Sequence, residues 1–320
     1  MNIDIYIQSD SENVFAPVVT GNVTWEVKRS GSPGKLTFSA LSDDILRVQE
    51  GNAVRLDVDG VPVFFGFLFE RSWGKDGVIQ AVAYDQLRYL KNKDSYQYEN
   101  KTASEVVRMI VSDFNLHVGD IQDTVYKIKT RIKKDNTLFD IILDALDITM
   151  LKTGKIYVLY DEAGKLTLKD AESMKAAIYI DQDTAADYEY KASIDGETYN
   201  RIKLYRDNGE GKAREFFVAE DIENIRKWGV LQKYESVDKE ANGQERAEND
   251  LKFYNKPVRS LSIKNAIGDV SVRAGCMIQT SLDIRDMKLN QNFLVESVKH
   301  TFDKGDHWMD LTLKGADIFG

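Results

Sequence analysis

Apolar and polar positions alternate in short segments over the first 95 residues. Six segments are rich in β-branched and aromatic residues and are bounded by Gly, Asp or Ser: NIDIYIQ, NVTWEVKR, GKLTFSAL, AVRLDVDG, VPVFFGFLFERSW and GVIQAVAYD. A two-residue period with such boundaries is typical of half-buried antiparallel strands. The pattern therefore predicts an antiparallel β-barrel or β-sandwich at the N-terminus.

The periodicity becomes helical after residue 100. Thr102 and Glu105 have the spacing of a capping box at the start of a first helix. The segment NTLFDIILDALDITM predicts a second helix, whose apolar stripe consists of Leu138, Ile141, Ile142, Ala145 and Leu146. KIYVLYDEAGKLTLKD then predicts a hairpin around Ala163 and Gly164. Residues 96–178 are therefore predicted to form a small α+β domain.

Strand patterns return at about residue 187 and continue to the C-terminal region. The segments are DYEYKASI, NRIKLYRD, AREFFVAE, RSLSIKN, AGCMIQTSLDI, NFLVESVKHTF and HWMDLTLKG. Asp221 and Asn242 are predicted helix N-caps within this region. The sequence thus predicts a second β domain over 179–320, with a helical insertion at about 221–255.

The C-terminal segment HTFDKGDHWMDL contains two of the three histidines, His300 and His307, close to three aspartates. A hairpin closed by residues 303–306 places Phe302 opposite His307 and His300 opposite Met309. Apart from Glu296, its inward face then carries only Phe302, His300, Val298, Leu294, His307, Met309, Leu311 and Leu313. Zinc needs at least three protein ligands, and no further His or Cys is near. The pattern favours core or interface histidines over a metal site.

This terminal hairpin resembles a stretch near the N-terminus. In both, a glycine (Gly51 or Gly275) opens a strand, a longer apolar strand follows, and a turn of Lys, Gly and Asp (75–77 or 304–306) reverses the chain. One interpretation is that the chain carries two copies of one β module around an α+β insert. The other is that antiparallel β domains share these features in general, and the pattern alone leaves both open.

Composition narrows the possible classes of protein. A length of 320 residues favours two or three domains. The single cysteine, Cys276, excludes an intrachain disulfide and suits folding in a reducing cytoplasm. No membrane span and no secretory signal are expected. The net charge of −9 disfavours a general nucleic-acid binder, because an acidic chain repels phosphates.

Motifs of enzymatic chemistry are missing from the sequence. No phosphate-binding loop, GxSxG or HExxH motif occurs. Gly209-Glu210-Gly211 is interpreted as a turn, Asp43-Asp44 and the pair Asp181 and Asp183 as solvated loops, and FFGF as a buried strand. Ser193-Ile194-Asp195 has no histidine nearby in sequence. We predict no catalytic residues, no cofactor and no metal site, although 52 acidic residues leave a glycosidase-like carboxylate pair open.

Five segments carry a resemblance to a known family: FFGFLFE, AYDQLRYLKNKDSYQYENKTASEVV, YKASIDGETYNRIKLYRDN, KWGVLQKYE and HTFDKGDHWMDLTLKG. Together they resemble the XkdQ/YqbQ family of PBSX-type prophage tail proteins, in order and over nearly the whole chain. The resemblance implies a baseplate hub of a contractile tail, related to the larger trimeric hubs of myophages. In those relatives, two tube-like β-barrels per chain produce a pseudo-sixfold ring.

The resemblance implies a mainly β fold, with tube-like antiparallel β-barrels at 1–95 and 179–320 flanking the α+β domain at 96–178. The implied function is a non-enzymatic, homotrimeric hub that adapts a sixfold tail tube to a threefold spike. Its partners would be the tail tube protein and spike or other baseplate proteins, with a LysM-containing tail protein as a further candidate. Neither stable nucleic-acid binding nor a membrane partner is expected. The chain would assemble in the bacterial host cytoplasm and then reside in the baseplate of a phage or tailocin.

Two other functional classes stay open on sequence. Tail-tip proteins often carry lytic domains, so a tail-associated peptidoglycan hydrolase is the main alternative. A carbohydrate-binding receptor module is the third. The middle region offers no recognisable nucleophile, metal ligands or Cys/His arrangement, and Cys276 falls in a predicted strand. These observations favour the structural role.

Overall fold

The computed structural model describes residues 1–8, 13–41, 48–75, 77–208, 213–237, 242–284 and 287–315. Three sequence features therefore lie outside the described residues: the pair Asp43-Asp44, the segment 209–211, and Asp76 of the predicted 75–77 turn. The chain divides into two compact units, Met1–Glu189 with the residues from Leu261 onward, and Tyr190–Ser260.

All six segments predicted as strands near the N-terminus are strands. They are β1 (Ile3–Gln8), β3 (Val19–Lys28), β4 (Lys35–Leu41), β5 (Ala53–Val58), β6 (Val61–Trp73) and β7 (Val78–Tyr84). A seventh strand, the short β2 (Val14–Phe15), lies outside the predicted segments. Leu36, Phe38 and Ala40 of β4 are buried, while the residues between them are partly exposed. The two-residue period thus produces one core-facing side, as the pattern predicts.

Mixed helices and strands follow in the middle of the chain. After a 3₁₀ helix (Gln86–Lys91) come β8 (Lys93–Tyr98), β9 (Lys101–Thr102), α1 (Ala103–Asp113), β10 (Val118–Ile121), β11 (Lys127–Ile128), β12 (Arg131–Thr137), α2 (Leu138–Thr153), β13 (Tyr157–Asp161), β14 (Leu166–Asp170) and a second 3₁₀ helix (Ala171–Ser173).

The local signals predicted for this middle region are confirmed. Thr102 Oγ1 accepts from Glu105 N at 3.2 Å, and Glu105 Oε2 accepts from Thr102 N at 2.8 Å, which closes the capping box of α1. The predicted apolar stripe of α2 is buried and shares one core with the inner face of α1. β13 and β14 form the predicted hairpin, with Ala163 and Gly164 in its turn at φ 46° and 94°.

The remaining elements complete the chain. They are β15 (Lys175–Asp181), β16 (Ala185–Ser193), β17 (Arg201–Arg206), β18 (Glu215–Glu220), α3 (Ile222–Trp228), β19 (Gln232–Ser236), α4 (Gly243–Tyr254), β20 (Val258–Ile267), β21 (Met277–Ile284), β22 (Met287–Asp303) and β23 (Asp306–Gly315). Both predicted caps are confirmed: Asp221 accepts from Asn224 N at 2.9 Å, and Asn242 from Glu245 N at 3.2 Å.

One large sheet dominates the described residues. Its strand order is β16-β20-β23-β22-β3-β4-β7-β6-β5-β1-β2, and β21 and β15 extend it from β22. All of its pairs with a described register are antiparallel except β15 with β21. The prediction of a mainly β chain is therefore confirmed. The closure of each β region into a barrel stays a prediction, as do the domain boundaries. None of the helices in the described ranges is long and apolar enough to cross a membrane.

Strands β17 and β18 belong to a second, smaller sheet in the Tyr190–Ser260 unit. β17 is its central strand, antiparallel to β18 and parallel to β19, because α3 crosses over between β18 and β19. Helix α4 packs on this sheet through Ala247, which is buried with Ile202 and Leu204. The sequence pattern groups β17 and β18 with the strands that follow, because periodicity does not reveal which strand pairs with which.

Replacing Asp250 with alanine is expected to destabilise this small unit by about 3 kcal/mol, because Asp250 is a fully buried carboxylate. Its Oδ2 lies 3.3 Å from Lys233 Nζ and 3.9 Å from Arg246 Nε. Its loss removes their buried partner, and both cations then keep only the half-exposed Glu235 among the ion pairs of the described residues. Amide hydrogen exchange in β17 and α4 measures the effect. Glu220→Ala is the control, since the Arg201–Glu220 pair lies at the surface and should contribute less than about 1 kcal/mol. Equal loss of protection in both variants would contradict the prediction.

Candidate functional site

The histidine-containing hairpin has the register that the sequence predicts. Phe302 pairs with His307, His300 with Met309, and Asp303 with Asp306 at the turn. His300 is fully buried, and its ring stacks on Trp25 of β3 at a centroid distance of 4.8 Å. The hairpin thus carries one histidine into the core, as expected.

The two imidazoles are hydrogen-bonded to each other. His300 Nε2 donates to Val272 O at 3.0 Å, which leaves Nδ1 of the neutral ring to accept from His307 Nε2 at 2.9 Å. Burial, and then the neighbouring His307, lower the pKa of His300 to about 3. Burial lowers the pKa of His307 to about 4, and the negative charge of Asp269 offsets only part of this effect. Among the described residues, no group of three or more His, Cys, Asp or Glu side chains could hold a metal ion. We interpret the pair as structural.

Leu294 lies on a different face from the one predicted. The register of β22 against β23 shifts between Val295 and Ser297, so that Val295 pairs with Leu313 and Leu294 pairs with Lys314. Glu296 is the extra residue of a β-bulge, and it reverses the inward and outward positions before it. Leu294 therefore packs with Ile156 and Val158 of the middle region. The face predicted for the rest of the hairpin is confirmed.

Those acidic and nucleophilic residues singled out from sequence that the structure describes do not converge on one site. Asp181 Oδ1 accepts from Thr184 Oγ1 and Thr184 N, both at 2.9 Å, and from Asp183 N at 3.1 Å. These bonds cap a turn and lower the pKa of Asp181. Ser193 Oγ accepts from the backbone of Asp195 at 3.1 Å. Cys276 is buried, and burial raises the pKa of its thiol. Asp181 and Ser193 therefore stabilise turns, and Cys276 belongs to the core.

A buried pair of carboxylates was not predicted from sequence. Asp85 Oδ2 accepts from Gly34 N at 2.8 Å, and Asp161 Oδ1 accepts from Gly164 N at 2.6 Å. Burial and then the charge of Asp161 raise the pKa of Asp85 well above its usual range, and burial raises that of Asp161. In the sequence, Asp85 could have been recognised only as the N-cap of the 3₁₀ helix Gln86–Lys91. Both side chains fix backbone turns, which indicates a structural role.

The large sheet contains two sets of six strands with the same order. The first repeat consists of β1 and β3 to β7; the second repeat consists of β15, β16 and β20 to β23. Counted from its own N-terminus, each set runs second, third, sixth, fifth, fourth, first across the sheet. The first strand is antiparallel to its neighbour in the first repeat and parallel to it in the second. Shared strand order supports the interpretation that the chain carries one β module twice.

The hydrogen bonds of the two repeats correspond residue by residue. Gly51 N donates to Leu68 O at 2.7 Å, and Gly275 N donates to Val295 O at the same distance. The return bonds match as well: Leu68 N donates to Asn52 O, and Val295 N to Cys276 O, both at 2.9 Å. A bulge follows directly in each long strand, at Phe69 in β6 and at Glu296 in β22. Gly51 and Gly275 adopt φ of +89° and +92°, so each position favours glycine.

The long strand of each repeat has a different environment past its bulge. On the edge of β22 that faces β21, residues 287–294 pair with β21 and residues 297–302 pair with β3 of the first repeat. On the corresponding edge of β6, residues 61–67 pair with β5, but residues 70–73 have no strand partner in the described part of the chain. Trp73, at the position of His300, is accordingly 64% exposed, whereas His300 is 0% exposed. This open segment of β6 is the candidate assembly edge.

Comparison with protein families gives a match over most of the chain. Residues 23–314 match the family model described as YqbQ-like. The chain belongs to the YqbQ-like family. Two relatives from Bacillus subtilis (strain 168) are each 31% identical to this YqbQ-like chain: the uncharacterized protein YqbQ over 97% of this chain and 95% of its own length, and the phage-like element PBSX protein XkdQ over 97% and 96%.

Solved structures share the fold at much lower identity. The 43 kDa tail protein of prophage MuSo2 from Shewanella oneidensis has a TM-score of 0.70 and 12% identity, covering 99% of this YqbQ-like chain and 100% of that chain. A tail protein from Neisseria meningitidis MC58 also has a TM-score of 0.70, at 11% identity, covering 100% and 98%. The E. coli c3393 protein, described as a type VI secretion component similar to T4 tail proteins gp27 and gp5, has a TM-score of 0.58 at 9% identity, covering 99% and 78%.

Proposed function

We propose that this YqbQ-like chain is a non-enzymatic structural hub in the baseplate of a contractile, phage-tail-like particle. In this role, three copies form a ring that adapts a sixfold tail tube to a threefold spike. The observation that carries the proposal is the internal repeat of the sheet, with matching strand order, glycines and bulges. The 31% identity to the phage-like element PBSX protein XkdQ, and the fold shared with two phage tail proteins, support the tail context.

The repeat explains how a change of symmetry is possible. Three chains with two similar β modules each present six similar surfaces to a tube, while the assembly as a whole keeps threefold symmetry for a spike. The two modules are proposed to be tube-like barrels over 1–95 and 179–320, with the α+β domain over 96–178 between them. The proposed partners are the tail tube protein and spike or other baseplate proteins, and a LysM-containing tail protein is a further candidate.

The charge of the chain fits a ring that DNA passes without retention. With a net charge of −9, a lumen that shares the overall sign repels phosphates. Assembly is proposed to occur in the host cytoplasm, followed by residence in the baseplate. Tight retention of DNA by the purified chain at low salt would contradict the charge argument.

Electron microscopy of purified tail particles tests the hub proposal directly. The expected map shows three copies of the chain between the tube and the spike, with a pseudo-sixfold arrangement of the repeats. A ring isolated from such particles should have three times the 36.4 kDa mass of one chain. Six copies, or a location away from the tube end, would overturn the proposal.

Purified chain is expected to leave peptidoglycan intact, because Asp181 caps a turn and Asp85, Asp161 and Cys276 are buried. The measurement is the turbidity of a cell-wall suspension, with lysozyme as the positive control. Clearing that is abolished by Asp181→Asn or by another acid-to-amide substitution would favour the hydrolase instead.

A further inference from the structure

We infer that residues 70–73 of β6 pair with the outer edge of β16 from a second copy of this chain. The inference rests on the proposed trimeric ring and identifies the junction between its subunits. It extends the large sheet from one chain to the next through backbone hydrogen bonds.

The chain itself contains one junction of this kind, between β22 and β3. Past its bulge, β22 of the second repeat pairs antiparallel with β3 of the first, from Ser297 opposite Lys28 to Phe302 opposite Val23. Arg29 N also donates to Glu296 O, the bulge residue, at 2.9 Å. The corresponding segment of β6 follows the bulge at Phe69 and consists of residues 70–73. It therefore offers the same kind of edge, without a partner strand in the described part of the chain.

The missing partner corresponds to β16. β3 is the second strand of the first repeat and lies between β4 and β22, whereas β16 is the second strand of the second repeat and lies beside β20 only, at the end of the described sheet. The residues directly before the two strands also accept equivalent hydrogen bonds. Leu41 N donates to Val18 O before β3, and Ile267 N donates to Thr184 O before β16. β16 thus has a free edge where β3 contacts β22.

Trp73 shows what the absent strand would cover. It pairs with Ile79 just as His300 pairs with Met309, so both side chains point to the core side of their sheets. His300 is covered there by Trp25 of β3, which the other repeat supplies. Trp73 has the Arg71 guanidinium over its ring at 5.2 Å, and its side chain stays mostly exposed in the described part of the chain. An exposed tryptophan on an open strand edge is typical of a protein–protein contact.

Val48, in the described residues before Gly51, has the place that Val272 has beside the internal junction. The Val48 carbonyl accepts from Arg71 Nη1, and the equivalent carbonyl of Val272 accepts from His300 Nε2, a side chain two positions further along the long strand. Val48 and Val272 are both buried, three residues before their glycines. β3 nevertheless pairs with β22 beside Val272, so a strand can pair with β6 beside Val48.

The inferred junction closes a ring in which all contacts between neighbouring repeats are of one type. Each chain supplies one internal junction, β22 with β3, and one junction to its neighbour, β6 with β16. Three chains then have six antiparallel junctions of one type, and no open β6 or β16 edge remains.

Cross-linking in tail particles tests the junction. Ser72→Cys is combined in turn with Asp187→Cys, Glu189→Cys or Lys191→Cys, whose parent residues are all exposed, while the native Cys276 stays buried. A short bismaleimide should give covalent dimers and trimers in at least one combination, about tenfold above the single-cysteine variants. If electron microscopy shows three copies in the ring but no combination cross-links, the junction is overturned and the hub proposal stands. Particles without a three-copy ring would contradict the hub proposal itself.

Two exposed tryptophans provide a matched pair of variants. Trp73→Asp should reduce incorporation into particles by about tenfold, because it places a charge in the inferred junction. Trp308→Asp should leave incorporation unchanged, since Trp308 lies beside Thr301 in the hairpin and away from the β6 edge. Thermal unfolding of each purified variant should match that of the parent. Normal incorporation of a folded Trp73→Asp chain would overturn the inference.

Discussion

Lowering the pH from 7.5 to 4.5 is expected to reduce the free energy of unfolding by about 3–5 kcal/mol through His300 and His307. In the folded chain, burial holds their pKa values at about 3 and about 4, below the ordinary value of 6.5. In the unfolded chain, both rings bind protons once the pH falls below 6.5. The unfolded state therefore binds more protons in this window. The stability is fully present above pH 6.5 and is lost as the pH falls towards 4.

Urea unfolding at a series of pH values measures this effect. His300→Gln/His307→Gln should flatten the dependence between pH 6.5 and 4.5, even though the variant is less stable at pH 7.5. His117→Gln is the control, because His117 is the third histidine and lies at the surface. If the double variant retains the parental pH dependence, the loss belongs to carboxylates elsewhere and the prediction is wrong.

The second large effect is expected from Gly275→Ala, which should destabilise the chain by about 1–3 kcal/mol more than Gly51→Ala. The two glycines have nearly the same φ, so an alanine pays a similar backbone cost of about 1–2 kcal/mol at either position. Their surroundings differ. A Cβ on Gly51 would meet no atom within 4 Å, whereas a Cβ on Gly275 would lie 2.4 Å from Val158 Cγ1.

Chemical denaturation of both variants checks this difference, and the repeat itself supplies the matched control. The double variant Gly275→Ala/Val158→Ala should recover part of the loss, since a smaller side chain at 158 removes the collision. A favourable interaction energy of about 1 kcal/mol or more is expected in the double-mutant cycle. Equal destabilisation by Gly51→Ala and Gly275→Ala would contradict the prediction.

Local chemistry made many elements predictable. The capping pairs at Thr102 and Asn242 are readable because the side chain that satisfies the first helical N–H groups lies in the same short segment. The hairpin at residues 303–306 is readable because alternation fixes its register. Gly51 and Gly275 indicated the repeat because both occupy positive φ, where other residues are disfavoured.

Non-local features were not predictable in the same way. The two bulges fall at Phe69 and Glu296, and these residue types have nothing in common that a sequence could reveal. The placement of Leu294 was wrong for this reason. The contact between Asp85 and Gly34 joins residues 51 positions apart, and no periodicity connects them. The open edge at residues 70–73 became visible only when the pairing of β6 and β22 could be compared.

The pairing of β3 with β22 has a consequence for synthesis of the chain on the ribosome. Arg29 and Glu296, which form an ion pair at this junction, are 267 residues apart. At about 5–20 residues per second, β3 emerges and then waits about 15–50 s before its partner strand is translated. During that interval a nascent chain exposes Trp25 and an unpaired strand, which makes it a substrate for chaperones and a point of early aggregation. Slow codons placed between the codons of Arg29 and Glu296 should therefore lower the yield of soluble protein more than the same delay placed after residue 315.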